Sequence, residues 1–225
     1  NQEVAKVHFA DESQMKDAVS SAHNAYEKTR RLSSYERSVI LEKISDTIEQ
    51  RKDELSESIA LCAGKPIRSS RVEVSRAVST FKIASEEAKR INGEIIPLDL
   101  SPQTKERWGF VRRFPIGVVA GITPFNFPIN LVAHKVAPAI ASGNPIILRP
   151  ASQVSMTSLI LGEIIKETDL PPGGVNVVPC GYKATDVLID DERVKKITFT
   201  GSPVIGWEMK KRAYKKRITL ELGGN

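Results

Sequence analysis

A carboxylate at the end of a strand is the first residue whose placement invites chemistry. In "RITLELGGN", Arg217 to Asn225, Ile218, Leu220 and Leu222 alternate with Thr219 and Glu221, which reads as a strand, and Gly223-Gly224 reads as the turn after it. Glu221 is either solvent-facing, the usual fate of an acid in a strand, or a base delivered to the brink of a turn. "ITPFNFP", Ile122 to Pro128, offers a second group. Two prolines fix the backbone around Phe125-Asn126-Phe127, so the Asn126 amide is either a donor to a developing oxyanion or a local partner for turn backbone. "LRPAS", Leu148 to Ser152, sets the cation of Arg149 before a proline and the Ser152 hydroxyl three residues on. That pair suits ribose hydroxyls or a phosphate, with an ordinary surface arginine as the alternative. In "FTGSPVIG", Phe199 to Gly206, Gly201 permits a turn, Ser202 is an N-cap and Pro203 takes the first helical position. Free amides and a positive helix end then face the strand terminus, a form that suits anions but occurs wherever a helix is well capped.

The two cysteines offer less. Cys62 lies in an apolar helical pattern and reads as a core thiol; Cys180, in "VPCG", has no histidine or basic residue within a few positions to lower its pKa and reads as structural. Neither has a partner at metal-ligand spacing, so no metal is expected, and a reducing, cytoplasmic setting fits best.

These groups need a scaffold, and the composition supplies one. With 225 residues, 40% hydrophobic and 27% charged, the chain can bury a real core and reads as a soluble globular protein. No stretch approaches the roughly 18 apolar residues of a membrane span, and the start has no signal-peptide pattern, so neither membrane nor export is expected. The net charge of +6 raises the question of nucleic acid. The basic clusters are short, lie among acidic residues and have no interleaved aromatics, so no nucleic-acid partner is expected.

The first ninety residues read as helical. Ser33 with Glu36 makes a capping box, after which Ile40, Ile44, Ile48, Leu55 and Ile59 recur on one helix face until "GKP", Gly64 to Pro66, stops the run; a second helix carries Val74, Ala77, Phe81 and Ala88. From Ile91 to Phe114, extended segments joined by a polar loop read as a hairpin whose exposed edges could pair with another subunit. Beyond Pro115, apolar strands (117–122, 145–148, 175–178, 197–200) alternate with helices (128–141, 155–168, 184–189, 203–213). The alternation predicts an α/β fold: a Rossmann-like parallel sheet with helices on both faces, preceded by N-terminal helices and a β-hairpin. Ligands of such sheets bind at the carboxyl ends of the strands, which is where the four motifs fall.

Taken together and in this order, "ITPFNFP", "LRPAS", "FTGS" and "LELGGN" resemble the aldehyde dehydrogenase superfamily, the NAD(P)-dependent oxidisers of aldehydes to carboxylates. The resemblance extends to "GKPI" and to "WGFVRRFPIGVVAGITPFNFPINLVAHKVAPAIASGNPIIL". It implies that Asn126 stabilises the oxyanion of a thiohemiacetal and that Glu221 is the general base. It further implies a NAD or NADP site lined by Ile122, Thr123, Pro124 and Phe125 on one side and by Thr200, Gly201 and Ser202 on the other, with Arg149 and Ser152 near the adenosine ribose and Leu222 at the nicotinamide. Where the family usually has a lysine and frequently a glutamate, this chain has Arg149 and Ser152, which removes a repulsion against a 2′-phosphate and implies tolerance of NADP as well as NAD.

The family's enzymes are about twice this length. The resemblance therefore divides the chain into 1–90, helical part of the cofactor-binding domain; 91–114, a hairpin for oligomerisation; 115–219, the dinucleotide-binding domain; and 220–225, the start of a catalytic domain. The family's nucleophilic cysteine falls beyond Asn225, which implies a chain inactive alone, acting within a homo-oligomeric enzyme on a small aldehyde carrying a hydroxyl or anionic group. A standalone nucleotide-binding or assembly module is the alternative from another class. The enzyme reading expects Asn126, Ser202 and Glu221 to share one cleft.

Overall fold

The computed structural model describes residues 3 and 5–224. Four helices come first: α1 (Glu12–Thr29), α2 (Ser34–Gln50), α3 (Lys52–Ala63) and α4 (Ile67–Ala88). Reciprocal capping boxes start two of them. Asp11 and Gln14 close α1, and the Ser33 hydroxyl accepts from the Glu36 amide at 3.1 Å while the Glu36 carboxylate accepts from the Ser33 amide at 2.6 Å at the head of α2. The apolar run expected as one helix through Ile59 is two, because the chain leaves helical geometry at Arg51. The Arg51 guanidinium donates to Glu54 at 2.7 and 2.9 Å and to Glu163 at 3.3 Å, a bent anchor that apolar spacing alone does not reveal.

The hairpin β1 (Glu94–Pro97) and β2 (Trp108–Val111) pairs antiparallel, Glu94 opposite Val111, and stands out from the body with Ile95, Trp108 and Phe110 exposed. There follow β3 (Val118–Ile122), α5 (Asn130–Ala141), β4 (Ile146–Arg149), α6 (Ser155–Lys166), β5 (Val175–Val177), α7 (Tyr182–Asp190), β6 (Val194–Gly201), α8 (Pro203–Arg212) and β7 (Arg217–Leu222). The five strands form one parallel sheet in the order β5-β4-β3-β6-β7, so the winding reverses at β3, the point where doubly wound folds open a crevice. β7 pairs with β6 from Arg217 to Leu222, running across the division expected between residues 219 and 220.

Alternation along the inner strands feeds two cores, one per face. Val119, Ile146 and Leu148 pack with α2 to α6, whereas Val118, Ala120, Ile122 and Ile147 pack with α1, α7 and α8. Full burial of side chains such as Ile44, Leu55, Phe81 and Ile147 contributes about 1.5–3 kcal/mol each. The outer strands differ. Lys196, Thr198 and Thr200 of β6 and Arg217, Thr219 and Glu221 of β7 share the α5 side of the sheet, and that polar side carries no helix over it among the described residues. No helix of the described residues is long and apolar enough to cross a membrane.

Candidate active site

Because all five strands run the same way, the segments leaving β3, β4, β6 and β7 lie along one rim. Strand register aligns them: Arg149 opposite Ile122, Ile122 opposite Phe199, Thr200 opposite Glu221 and Gly201 opposite Leu222. The Thr123 amide donates to the Arg149 carbonyl at 3.2 Å, which ties the exit of β3 to that of β4. From there Pro124 and Phe125 rise to Asn126, an exposed residue whose side-chain amide has no hydrogen-bond partner among the described residues. No bond to local backbone supports the reading of Asn126 as a turn partner, and its two N–H donors face solvent without a partner among the described residues.

At β4 the Arg149 guanidinium donates from Nη2 to the Cys180 carbonyl at 3.1 Å and lies 5.6 Å from the Tyr182 ring centroid. Its Nε is buried without a partner among the described residues, an orphaned donor at the rim. Ser152 follows in a short 3-10 turn and is half-buried. At β6, Ser202 caps α8 by accepting from the Ile205 amide at 3.4 Å, and Pro203 occupies the first turn. The glycines here answer to packing. A Cβ on Gly201 would meet the Phe199 ring and one on Gly206 would meet the Leu222 side chain, so neither glycine can gain a side chain unless its neighbour shifts.

Glu221 turns to the other side of β7. It lines a groove of about 1000 Å³ with Lys196, Thr198, Thr219, Arg217 and Lys135 of α5, and the wall continues to Arg112 and Arg113 beyond the hairpin. Asn126 and Ser202 do not line this groove. The expectation of one shared cleft is thus corrected: Glu221 faces the α5 side, while Ser202 opens α8, which packs on the opposite side. The three residues share the rim of adjacent strands and not one enclosed hollow.

Sequence reasoning passed over Lys135. It is 3% exposed, and its ammonium donates to Thr198 at 3.1 Å and to Thr200 at 2.8 Å. Thr200 in turn donates to a Glu221 carboxylate oxygen at 3.5 Å. Burial pushes the Lys135 pKa down to about 8, against the opposing pull of the Glu221 charge and with a further push from Lys196. A lone charge inside "NLVAHKVAPAIA", otherwise almost wholly apolar, was the available signal, since buried lysines are rare without a partner.

Neither cysteine is placed to act with Glu221. Cys180 is fully buried after β5, at the sheet edge opposite β7, with its thiol 3.5 Å from Thr185 Oγ1. Cys62 is half-buried in α3, and burial raises its thiol pKa, which disfavours the thiolate.

The model of the "Aldehyde dehydrogenase family" matches residues 1–225. The 3-sulfolactaldehyde dehydrogenase of Priestia aryabhattai is 41% identical over 225 residues, covering 100% of this chain and 47% of that protein. The lactaldehyde dehydrogenase of Methanocaldococcus jannaschii is 39% identical over 226 residues, covering 98% of this chain and 48% of that protein. The crystal structure of aldehyde dehydrogenase 21 from Physcomitrella patens, in complex with the reaction product succinate, is similar with a TM-score of 0.96 at 46% identity, over 98% of this chain and 46% of that one. The glyceraldehyde-3-phosphate dehydrogenase of Methanocaldococcus jannaschii complexed with NADP gives 0.93 at 38% identity, over 99% and 49%. The chain spans about half the length of these relatives.

Proposed function

Because this chain belongs to the aldehyde dehydrogenase family, we propose that the whole protein oxidises a small aldehyde to its carboxylate with NAD or NADP, and that these residues form the cofactor-binding half. The observation that carries the reading is the rim itself: an amide at Asn126 with no partner among the described residues, an anion-compatible helix start at Ser202 and a carboxylate at Glu221, at or just beyond the carboxyl ends of three adjacent parallel strands. The dinucleotide, when bound, supplies the acceptor for the substrate's hydride.

The chain's own residues hold and orient. The orphaned Arg149 Nε and the amides heading α8 fit phosphate oxygens, and Ile122, Thr123, Pro124, Phe125, Thr200, Gly201 and Leu222 line the rim between them. Asn126 donates to the substrate oxygen as charge develops on it. Glu221 accepts the proton of the nucleophile or of water, its carboxylate oriented by Thr200 and held in the field of Lys135. Ser152 carries no charge to repel a 2′-phosphate, which supports use of NADP as well as NAD. The nucleophile is a cysteine of the whole protein other than Cys62 and Cys180, so this chain alone does not turn over aldehyde.

Residues 91–114 serve contacts between subunits of a homo-oligomer, a reading supported by their exposed Ile95, Trp108 and Phe110. Residues 1–90 buttress the dinucleotide-binding region 115–219, and the last residues lead towards the catalytic portion. Two unpaired cysteines fit the cytoplasm. The Arg112-Arg113 pair supports an aldehyde bearing a hydroxyl or anionic group.

Kinetics of the whole enzyme test the assignment. Asn126→Ala and Glu221→Gln should each lower kcat by about a hundredfold or more while leaving the dissociation constant of the dinucleotide within about twofold. Wild-type kcat in either variant would remove that residue from the mechanism, and turnover by this chain alone would refute the need for another cysteine.

A further inference from the structure

We infer that Lys65 and Glu73 are positioning residues for Asn126, holding the loop that presents its amide. The inference rests on the reading of Asn126 as the oxyanion donor. Glu73, on α4, is 2% exposed. Its Oε1 accepts from the amides of Ile129 and Asn130 at 3.0 and 3.2 Å, and its Oε2 accepts from Lys65 Nζ at 2.6 Å. The same ammonium sits 4.0 Å from the centroid of the Phe127 ring. One ion pair therefore grips the loop at its backbone and at its aromatic side chain, directly after Asn126.

The start of α5 has no side-chain cap of its own, since Ile129 stands at the N-cap. Glu73 takes that task from another helix, placing a negative charge against the positive end of α5. On the other side of Asn126, the Thr123 amide is tied to β4 and Pro124 fixes its own backbone torsion. Phe125 and Asn126 are thus suspended between two fixed ends. Capping the two amides accounts for the Glu73 carboxylate as a stabilising group, but a cap needs no Lys65 ammonium over the Phe127 ring. That second hold on the loop fits a fixed direction for the Asn126 donor, since a displacement of about 1 Å at a donor can lower rate by about a hundredfold.

The test is a double-mutant cycle in the whole enzyme, read as kcat with thermal unfolding measured beside it. Glu73→Gln should lower kcat roughly ten- to hundredfold and leave the KM for dinucleotide within about twofold. In the Asn126→Ala background it should lower kcat no further, although the fall in unfolding temperature is the same in both backgrounds. Lys65→Met should repeat the pattern while keeping the carboxylate's bonds to the Ile129 and Asn130 amides, which covers a Glu73→Gln protein that fails to fold, and Lys65→Arg should restore part of the rate. If Asn126→Ala is impaired but Glu73→Gln and Lys65→Met match wild-type kcat, or multiply with Asn126→Ala, the positioning role is wrong and the oxyanion reading stands. If Asn126→Ala itself keeps full kcat, the oxyanion reading fails and takes this inference with it.

Discussion

Lys135 shows how much one side chain adds beyond its motif. Its charge is held against burial, with Thr198 and Thr200 as acceptors and Glu221 as the nearest compensating charge. Folding depresses its pKa from 10.5 to about 8, so between those values the unfolded chain binds more protons and stability rises with pH. Denaturant unfolding of this chain should therefore give a wild type that gains up to about 3 kcal/mol relative to Lys135→Met as pH climbs from 8 to 10.5. A flat difference across that window would mean that the ammonium is not desolvated. At Ser152 the expectation concerns charge alone. Ser152→Glu should weaken NADP binding to the whole enzyme by about tenfold or more and spare NAD; wild-type binding of NAD a hundredfold tighter than NADP would contradict the proposed tolerance.

At the scale of elements, most of the frame was legible and its reasons were local. β3 and β4 are short apolar runs bounded by Gly, Pro and polar turns, β7 alternates apolar and polar residues, and the capping box at Ser33 and Glu36 announced α2 in four residues. What was illegible depended on distance or direction. Arg51, at the break between α2 and α3, also reaches Glu163, 112 residues away, and the grip on α5 relies on Glu73, 56 residues from Ile129. The side of β7 to which Glu221 points follows from its pairing with Thr200, which no period-two pattern specifies. Some joints are held by a single side chain. Asn144 Oδ1 accepts from the amides of Ile116 and Gly117 at 2.7 and 3.0 Å, fixing the entry to β3 against the turn after α5. Asn144→Ala should cost about 1–3 kcal/mol of unfolding free energy by leaving those amides unpaired. A loss below about 0.5 kcal/mol would mean that water replaces the side chain there.

The whole molecule is a sheet with a well-covered centre and an unequal edge. Around β3 both faces are packed, which gives the rim a rigid base, while the α5 side of β6 and β7 presents lysine, arginine, threonine and Glu221 to an open groove. That asymmetry separates the two proposed tasks: the rim near β3 and α8 would hold the dinucleotide, and the polar side of β7 would offer the base. It also explains why the four motifs were individually ambiguous and collectively informative. Each is an ordinary turn, cap or strand end, and only the parallel winding sets them beside one another. Hydrogen–deuterium exchange of the whole protein with and without NADP examines this arrangement most directly. The account predicts slowed exchange in peptides covering Ile122 to Phe127, Leu148 to Ser152 and Phe199 to Gly206, with the hairpin from Glu94 to Val111 unchanged. Saturating dinucleotide that leaves those three segments exchanging as before, while protecting others, would contradict it.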